Sequence, residues 1–313
     1  MEKAPKDTED RIKEAERKVA ALIVDARTDL VEFRSEIRSD LPTLQNMDKA
    51  LRNILAEIRR HLPTDKDWRN PAYYSSLSTA EREQIRYAEL TVAGFKFFEL
   101  GRVSSFRSVV SEIYRGLGQF YGSYFATTKA SPGAREDSLF ERAILYFEEA
   151  CEVQPDNAAA FKDVGVLHTV VGEDSRRLEL ARRAFERSLQ INLSEPGASF
   201  GLGWLEYRDA HWERAIELFS ALIEKKDWTA ADRKKYLPDS YLNRACCRAR
   251  SLTASSSGTE FDPIFSDCKE GLKVALDLGE LAGFRPHLEK ELETTGDLGL
   301  ALQFPDRVRE LLA

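Results

Sequence analysis

Two stretches near the middle of the chain decide the fold. Residues 164–174 read Val-Gly-Val-Leu-His-Thr-Val-Val-Gly-Glu-Asp, and residues 202–219 read Leu-Gly-Trp-Leu-Glu-Tyr-Arg-Asp-Ala-His-Trp-Glu-Arg-Ala-Ile-Glu-Leu-Phe. In each, an apolar run with helical spacing contains one glycine and is followed by a short polar break. Each stretch therefore predicts a helix, a tight turn and the beginning of a second helix.

Small and aromatic residues recur at fixed distances around these stretches, so the sequence contains an internal repeat. The recurring pairs, four residues apart, are Ala143 with Phe147, Ala181 with Phe185, and Ala215 with Phe219. A small residue lets two helices approach closely, and an aromatic side chain fills the space between neighbouring pairs. The repeat therefore predicts closely packed helix pairs.

The pattern in residues 139–224 resembles the tetratricopeptide repeat (TPR) family, whose 34-residue unit is a pair of antiparallel helices. A less regular form of the pattern extends over residues 79–278. The resemblance implies an all-α protein that forms a right-handed α-solenoid of about four TPR-like units, with degenerate outer units.

The outer parts of the repeat are less regular. Residues 103–127 predict one long helix, or a helix broken at Gly116 and Gly118, and residues 127–138 read as a loop. Residues 251–263 are rich in Ser, Thr and Gly, which predicts a mobile insertion. Prolines elsewhere are placed as separators between helices.

The N-terminal part has a different character. Its apolar residues, from Ile12 to Leu41 and from Leu44 to Leu62, recur about every 3.6 residues. This spacing favours a long antiparallel helical hairpin that turns near residues 40–43, with a short coiled-coil dimer as the alternative. The predicted organisation is an N-terminal hairpin (1–66), a linker (67–77), a solenoid (78–280) that starts at a Ser78/Glu81 capping box, and C-terminal capping helices (281–313).

The charge, the cysteine count and the length of the apolar runs argue against several classes of protein. The chain has 46 Lys and Arg against 53 Asp and Glu, a net charge of -7, so we expect no nucleic-acid partner. Its four cysteines are too few for a disulfide framework, and its N-terminal apolar runs are too short for a membrane span. We therefore expect a cytoplasmic protein with no direct membrane span.

The sequence contains possible catalytic and metal-binding residues, but the secondary structure or ligand spacing that such sites require is not predicted around them. Residues 197–201 match the G-x-S-x-G pattern of serine hydrolases, but Ser199 follows Pro196 at the start of a predicted helix, where the hydrolase elbow needs a preceding strand. The four histidines have no metal-ligand spacing, and His168 falls on an aromatic position of the repeat, which predicts burial. Cys246 and Cys247 are interpreted as packing residues. The sequence thus predicts a non-enzymatic protein with no catalytic residues, metal site or cofactor.

The TPR resemblance further implies a concave face lined by the first helix of each pair. The family's groove-facing positions fall on Phe95, Phe98, Lys162, Val166, Thr169, Phe200, Trp204, Tyr207, Arg208, Leu242, Cys246 and Arg250. Its aromatic members are candidate anchors for a partner, and Lys162, Arg208 and Arg250 are candidates for selecting acidic or C-terminal groups. Arg208 and Arg250 lack the Asn and Lys partners of the family's carboxylate clamp, which argues against chaperone-tail binding.

The resulting expectation is a non-catalytic scaffold or adaptor that binds a protein or peptide partner in the concave face. Two alternatives stay open. The N-terminal hairpin or the next repeat could cover the groove, or the N-terminal helices could form a homo-oligomer that assembles a larger, membrane-associated complex.

Overall fold

A computed structural model describes residues 49–56, 59–60, 78–80, 82, 104–128, 136–170, 174–252, 256–293 and 295–313. The chain divides into two units, residues 1–53 and 54–313, and every helix named below belongs to the second. The predicted N-terminal hairpin lies largely outside the described residues, although residues 49–56 and 59–60 are helical. Residues 79–80 and 82 are also helical, and Arg82 N donates to Ser78 O (3.2 Å), as expected for a helix that starts here.

Within the described residues the chain is helical and has no strand, which confirms the all-α prediction. The α-helices are α1 (Ser104–Thr128), α2 (Glu136–Val153), α3 (Ala158–Val170), α4 (Ser175–Ile191), α5 (Pro196–Arg208), α6 (Trp212–Glu224), α7 (Ala230–Arg250), α8 (Asp262–Asp277), α9 (Leu281–Glu291) and α10 (Pro305–Leu312). Two 3₁₀ helices, Gly258–Phe261 and Gly299–Gln303, lie between them.

The helices pack in a regular succession. Each helix from α1 to α8 contacts the next one along the chain, and α1, α3, α5, α7 and α9 also contact one another in that order. Short connections join the members of the pairs α3/α4 and α5/α6, so the two helices of each pair run in opposite directions. The odd-numbered helices therefore lie side by side.

Glycine and phenylalanine interlock inside the pairs. The glycine–ring contacts are Gly118 with Phe147, Gly165 with Phe185, and Gly203 with Phe219. All three rings are fully buried, and a Cβ at Gly165 would lie 2.6 Å from Phe185 Cε1. The rings thus occupy space that any larger residue at these glycines would need.

The turn between α5 and α6 ends α5 in a Schellman motif. His211 N donates to Glu206 O (2.9 Å) and Ala210 N donates to Tyr207 O (3.1 Å), while Ala210 has a φ of 62°. This is the tight turn predicted after residue 208.

The long helix predicted over residues 103–127 is confirmed, but the predicted loop 127–138 and the placement of every proline between helices need correction. Helix α1 runs unbroken through Gly116 and Gly118, and residues 127–128 and 136–138 are helical, so the predicted loop 127–138 was too long at both ends. Pro238 and Pro286 lie inside helices α7 and α9 instead of between helices. Tyr236 and Leu237 beside Pro238 are buried, so tertiary packing compensates for the missing hydrogen bond.

The C-terminal helices share one apolar cluster with α7 and α8. Its buried members outside α7 and α8 are Phe261, Phe284, Leu288, Leu292, Leu298 and Ala301. Phe261 belongs to the segment predicted to be a mobile insertion, and it is fully buried at the end of a 3₁₀ turn whose Ser257 N donates to Glu260 Oε2 (2.5 Å). The described residues 256–263 of the insertion are therefore anchored, because a phenylalanine ties them to the core.

Among the described residues, no helix combines the length and the apolar character needed to cross a membrane.

Candidate binding groove

Helices α3, α5 and α7 surround an open groove of about 290 Å³. Its walls are Val166, Thr169 and Val170 of α3, Gly197, Phe200, Gly201 and Trp204 of α5, and Tyr236 of α7, with Phe185 of α4 beneath. Phe200 and Trp204 are four residues apart, so one face of α5 presents both. Each is half-buried, which leaves part of each ring available to a ligand.

The first turn of α5 brings the walls close together at one end. A Cβ at Gly197 would lie 2.8 Å from the Tyr236 hydroxyl and 3.0 Å from Lys162 Cδ. The ring of Phe200 packs between those of Tyr236 and Phe219, with centroid distances of 5.4 and 5.7 Å. Phe200 is thus partly a core residue, and Trp204, which is also half-buried, packs against the cluster that contains Phe185.

Of the other predicted residues on α5 and α7, Tyr207 and Arg250 face a different neighbour. The Tyr207 ring meets the Trp212 ring edge to face at 5.3 Å, and the Arg250 guanidinium lies over Trp212 at 5.6 Å. Arg250 also pairs with Asp297 at 3.6 Å. Neither residue lines the groove.

The other two predicted cations, Arg208 and Lys162, lie beside the groove and differ in whether a carboxylate pairs with them. The Arg208 guanidinium is exposed and lies 5.8 Å from the centre of the Trp204 ring. The Lys162 ammonium lies 2.5 Å from Asp163 Oδ1. Among the described residues Arg208 has no carboxylate partner, so its charge is available to a bound molecule.

Asp163 centres a buried polar network next to the groove. Its side chain is fully buried and also accepts hydrogen bonds from Arg115 (3.0 Å) and Gln119 (2.8 Å) of α1. Burial by itself would raise the pKa of Asp163, but the charges of Lys162 and Arg115 outweigh it and lower the pKa to about 2. Asp163 is therefore a permanent anion that holds Lys162 at the rim and connects α1 to α3.

Of the predicted set, Val166, Thr169, Phe200 and Trp204 line the groove, and Lys162 and Arg208 lie beside it. Leu242 and Cys246, also predicted to face the groove, are buried instead in the apolar cluster that α7 shares with α8. Phe95 and Phe98 lie outside the described residues. Sequence reasoning did not single out Tyr236 or Asp163. Adjacent Lys162 and Asp163 within the otherwise apolar run of residues 158–167 were the available signal for the buried network, whereas nothing local marks Tyr236.

The motifs weighed for chemistry occupy packing positions. Ser199 lies in the first turn of α5, its N–H donates to Glu195 O (3.1 Å), and the preceding residues 193–194 form a turn, so the hydrolase elbow's strand is not there. His168, Cys246 and Cys247 are buried, as the sequence predicted. Burial raises the pKa of Cys247 to about 12, which disfavours a reactive thiolate.

No protein-family model matches this chain, and no curated protein is significantly similar to it.

Proposed function

We propose that this chain is a non-catalytic scaffold or adaptor, a right-handed TPR-like α-solenoid that binds a partner segment in the groove between α3, α5 and α7. The succession of contacts among odd-numbered helices supports the solenoid, because stacked helix pairs place their first helices side by side along one face. The recurring glycine–phenylalanine interlock supports the TPR resemblance.

The observation that carries the binding proposal is the half-buried Trp204 ring at an open apolar groove, beside Arg208, which pairs with no carboxylate of the described residues. Large aromatic side chains in such positions supply much of the binding free energy of protein interfaces. The partner would place an apolar side chain against Trp204 and a carboxylate near Arg208. Lys162 and Arg250 contribute less in this proposal, because Asp163 and Asp297 already pair with them.

A selection of binding peptides with the purified full chain tests the proposal. Peptides enriched from a random displayed library are measured by fluorescence polarisation against the wild type, Trp204→Ala and Trp212→Ala. We expect Trp204→Ala to weaken binding about 30-fold, the equivalent of about 2 kcal/mol for a hot spot.

Trp212→Ala is the matched control, since it removes an indole of the same size outside the groove. Circular dichroism establishes that both variants keep their helices. Equal weakening by both substitutions, or full affinity in a folded Trp204→Ala variant, would place the binding surface elsewhere.

A further inference from the structure

Away from the groove, three potential metal ligands converge where the C-terminal segment meets α7. They are Cys246 in α7, Glu291 at the end of α9 and Asp297 in the turn that follows. The thiol sulfur and one carboxylate oxygen from each acid all lie within 4.8 Å of one another. Two segments that are distant in sequence, α7 and the end of α9 with its following turn, thus present sulfur and oxygen to one point.

The turn after α9 fixes the two acids side by side. Leu298 N donates to Glu291 O (2.9 Å), and Asp297 N donates to Glu291 Oε2 (3.1 Å). Gly296 lies so close to the Glu291 backbone that a Cβ at this position would overlap it. The backbone therefore places Asp297 beside Glu291, with a glycine that the close approach requires.

The surroundings of the cluster combine an apolar wall with an open side. Cys246 is only 4 % exposed and belongs to the apolar cluster that includes Leu288 and Leu292. Glu291 and Asp297 are half-buried, and His287 Nε2 lies 3.8 Å from Glu291 Oε1, one helical turn earlier. A cation could thus reach both carboxylates from solvent and the thiol on the buried side.

We propose that Cys246, Glu291 and Asp297 bind a zinc ion, with the fourth coordination position facing solvent. Thiolate, carboxylate and imidazole are the ligands of zinc sites in proteins, whereas magnesium and calcium select oxygen alone. On binding, the Cys246 thiol releases its proton to solvent, and the metal replaces Arg250 as the counter-charge of Asp297. The ion would tie the C-terminal segment to α7, a structural role that does not depend on the proposed groove function.

Cobalt and zinc titrations of the full chain, stripped with EDTA, test this site. We expect Co²⁺ to produce a saturable sulfur-to-cobalt charge-transfer band in the near ultraviolet, Zn²⁺ to abolish the band, and Zn²⁺ to raise the thermal midpoint. Cys246→Ser should remove the band. Cys247→Ser should retain it, because this neighbouring buried thiol belongs to a different apolar cluster.

Asp297→Asn tests whether Asp297 coordinates the metal ion or only lies near it. This variant should bind Zn²⁺ at least 10-fold more weakly in competition with a chromophoric chelator. Asp306→Asn, an exposed aspartate in the same C-terminal segment, should leave the affinity unchanged. The proposal is wrong if the wild type gives no saturable band, if the band persists in Cys246→Ser, or if a folded Asp297→Asn binds Zn²⁺ as tightly as the wild type.

Discussion

His168 occupies a position where the repeat pattern favours an aromatic residue. Its imidazole is 7 % exposed and lies 5.9 Å from the Phe140 ring, centroid to centroid. Among the described residues its Nδ1 atom has no hydrogen-bond partner. Burial, helped by the charge of Arg177, lowers the pKa of His168 from 6.5 to about 4. The imidazole is therefore neutral in the folded protein at neutral pH.

This histidine predicts a specific loss of stability in acid. Between pH 6.5 and about 4 the unfolded chain takes up a proton that the folded one refuses, so the free energy of unfolding falls as the pH falls through this window. The His168 contribution is up to about 3 kcal/mol. Urea unfolding at pH 7.5, 6, 5 and 4.5 gives the free energy of unfolding of the wild type and of His168→Phe. The change with pH in the difference between the two proteins measures the His168 contribution.

Other groups titrate identically in the two proteins, so they cancel in that difference. A difference that stays constant from pH 7.5 to pH 4.5 would mean that His168 protonates freely in the folded state.

At the scale of elements, glycine and phenylalanine set how closely helices pair. Phe185 of α4 is 1 % exposed and lies against Gly165 of α3 and Gly201 of α5. One ring therefore contacts both its own pair and the next pair along the chain. The same contact within a pair recurs at Gly118 with Phe147.

Two glycine-to-alanine variants measure this packing. Gly165→Ala places a methyl 2.6 Å from Phe185 Cε1, so we expect a loss of about 1–3 kcal/mol in the free energy of unfolding. Gly283→Ala, in α9, meets nothing within 4 Å and should stabilise by about 0.5–1 kcal/mol through helix propensity alone. Urea unfolding of both variants is the measurement, and a stabilised Gly165→Ala would show that the ring can move aside.

The spacing of small and aromatic residues was enough to predict the closely packed helix pairs, because the residues that carry this pattern are close in sequence. Ala181 and Phe185, for example, share one face of α4 and are both buried. The groove needed more than spacing. Tyr236 reaches it only because α7 continues through Pro238, and a proline in the sequence predicts a boundary there.

The zinc cluster was also beyond sequence reasoning. Cys246 and Asp297 are about 50 residues apart, and only the packing of α9 against α7 brings them together. A search for short ligand motifs cannot detect a thiol from one segment and carboxylates from another that is about 50 residues away. Packing positions were thus predictable from periodicity, whereas sites formed by long-range contacts were not.

At the scale of the whole molecule, residues of the C-terminal part, 281–313, pack against α7 and α8. Phe284, Leu288, Leu292 and Leu298 are buried against α7 and α8. The final helix, α10, has no fully buried residue. Most of the free energy that holds this part of the chain against α7 and α8 therefore comes from residues before 305.

Two truncations test this division. Deleting 281–313 uncovers the apolar cluster and should cost on the order of 6 kcal/mol or more, since each buried leucine or phenylalanine contributes about 1.5–3 kcal/mol. Deleting only 305–313 should cost about 1–2 kcal/mol. Thermal unfolding and limited proteolysis compare the two deletion variants. Equal losses of stability would contradict the conclusion that residues before 305 supply most of the stabilisation.

The position of Phe185 has a consequence for what the groove can accept. This ring forms the floor of the groove and lies between α3 and α5, the helices that carry two of its walls. The edge of one benzene ring thus separates the two helices below the opening. Ligand preference could therefore change through a buried residue that a ligand barely touches, with every surface side chain left as it is.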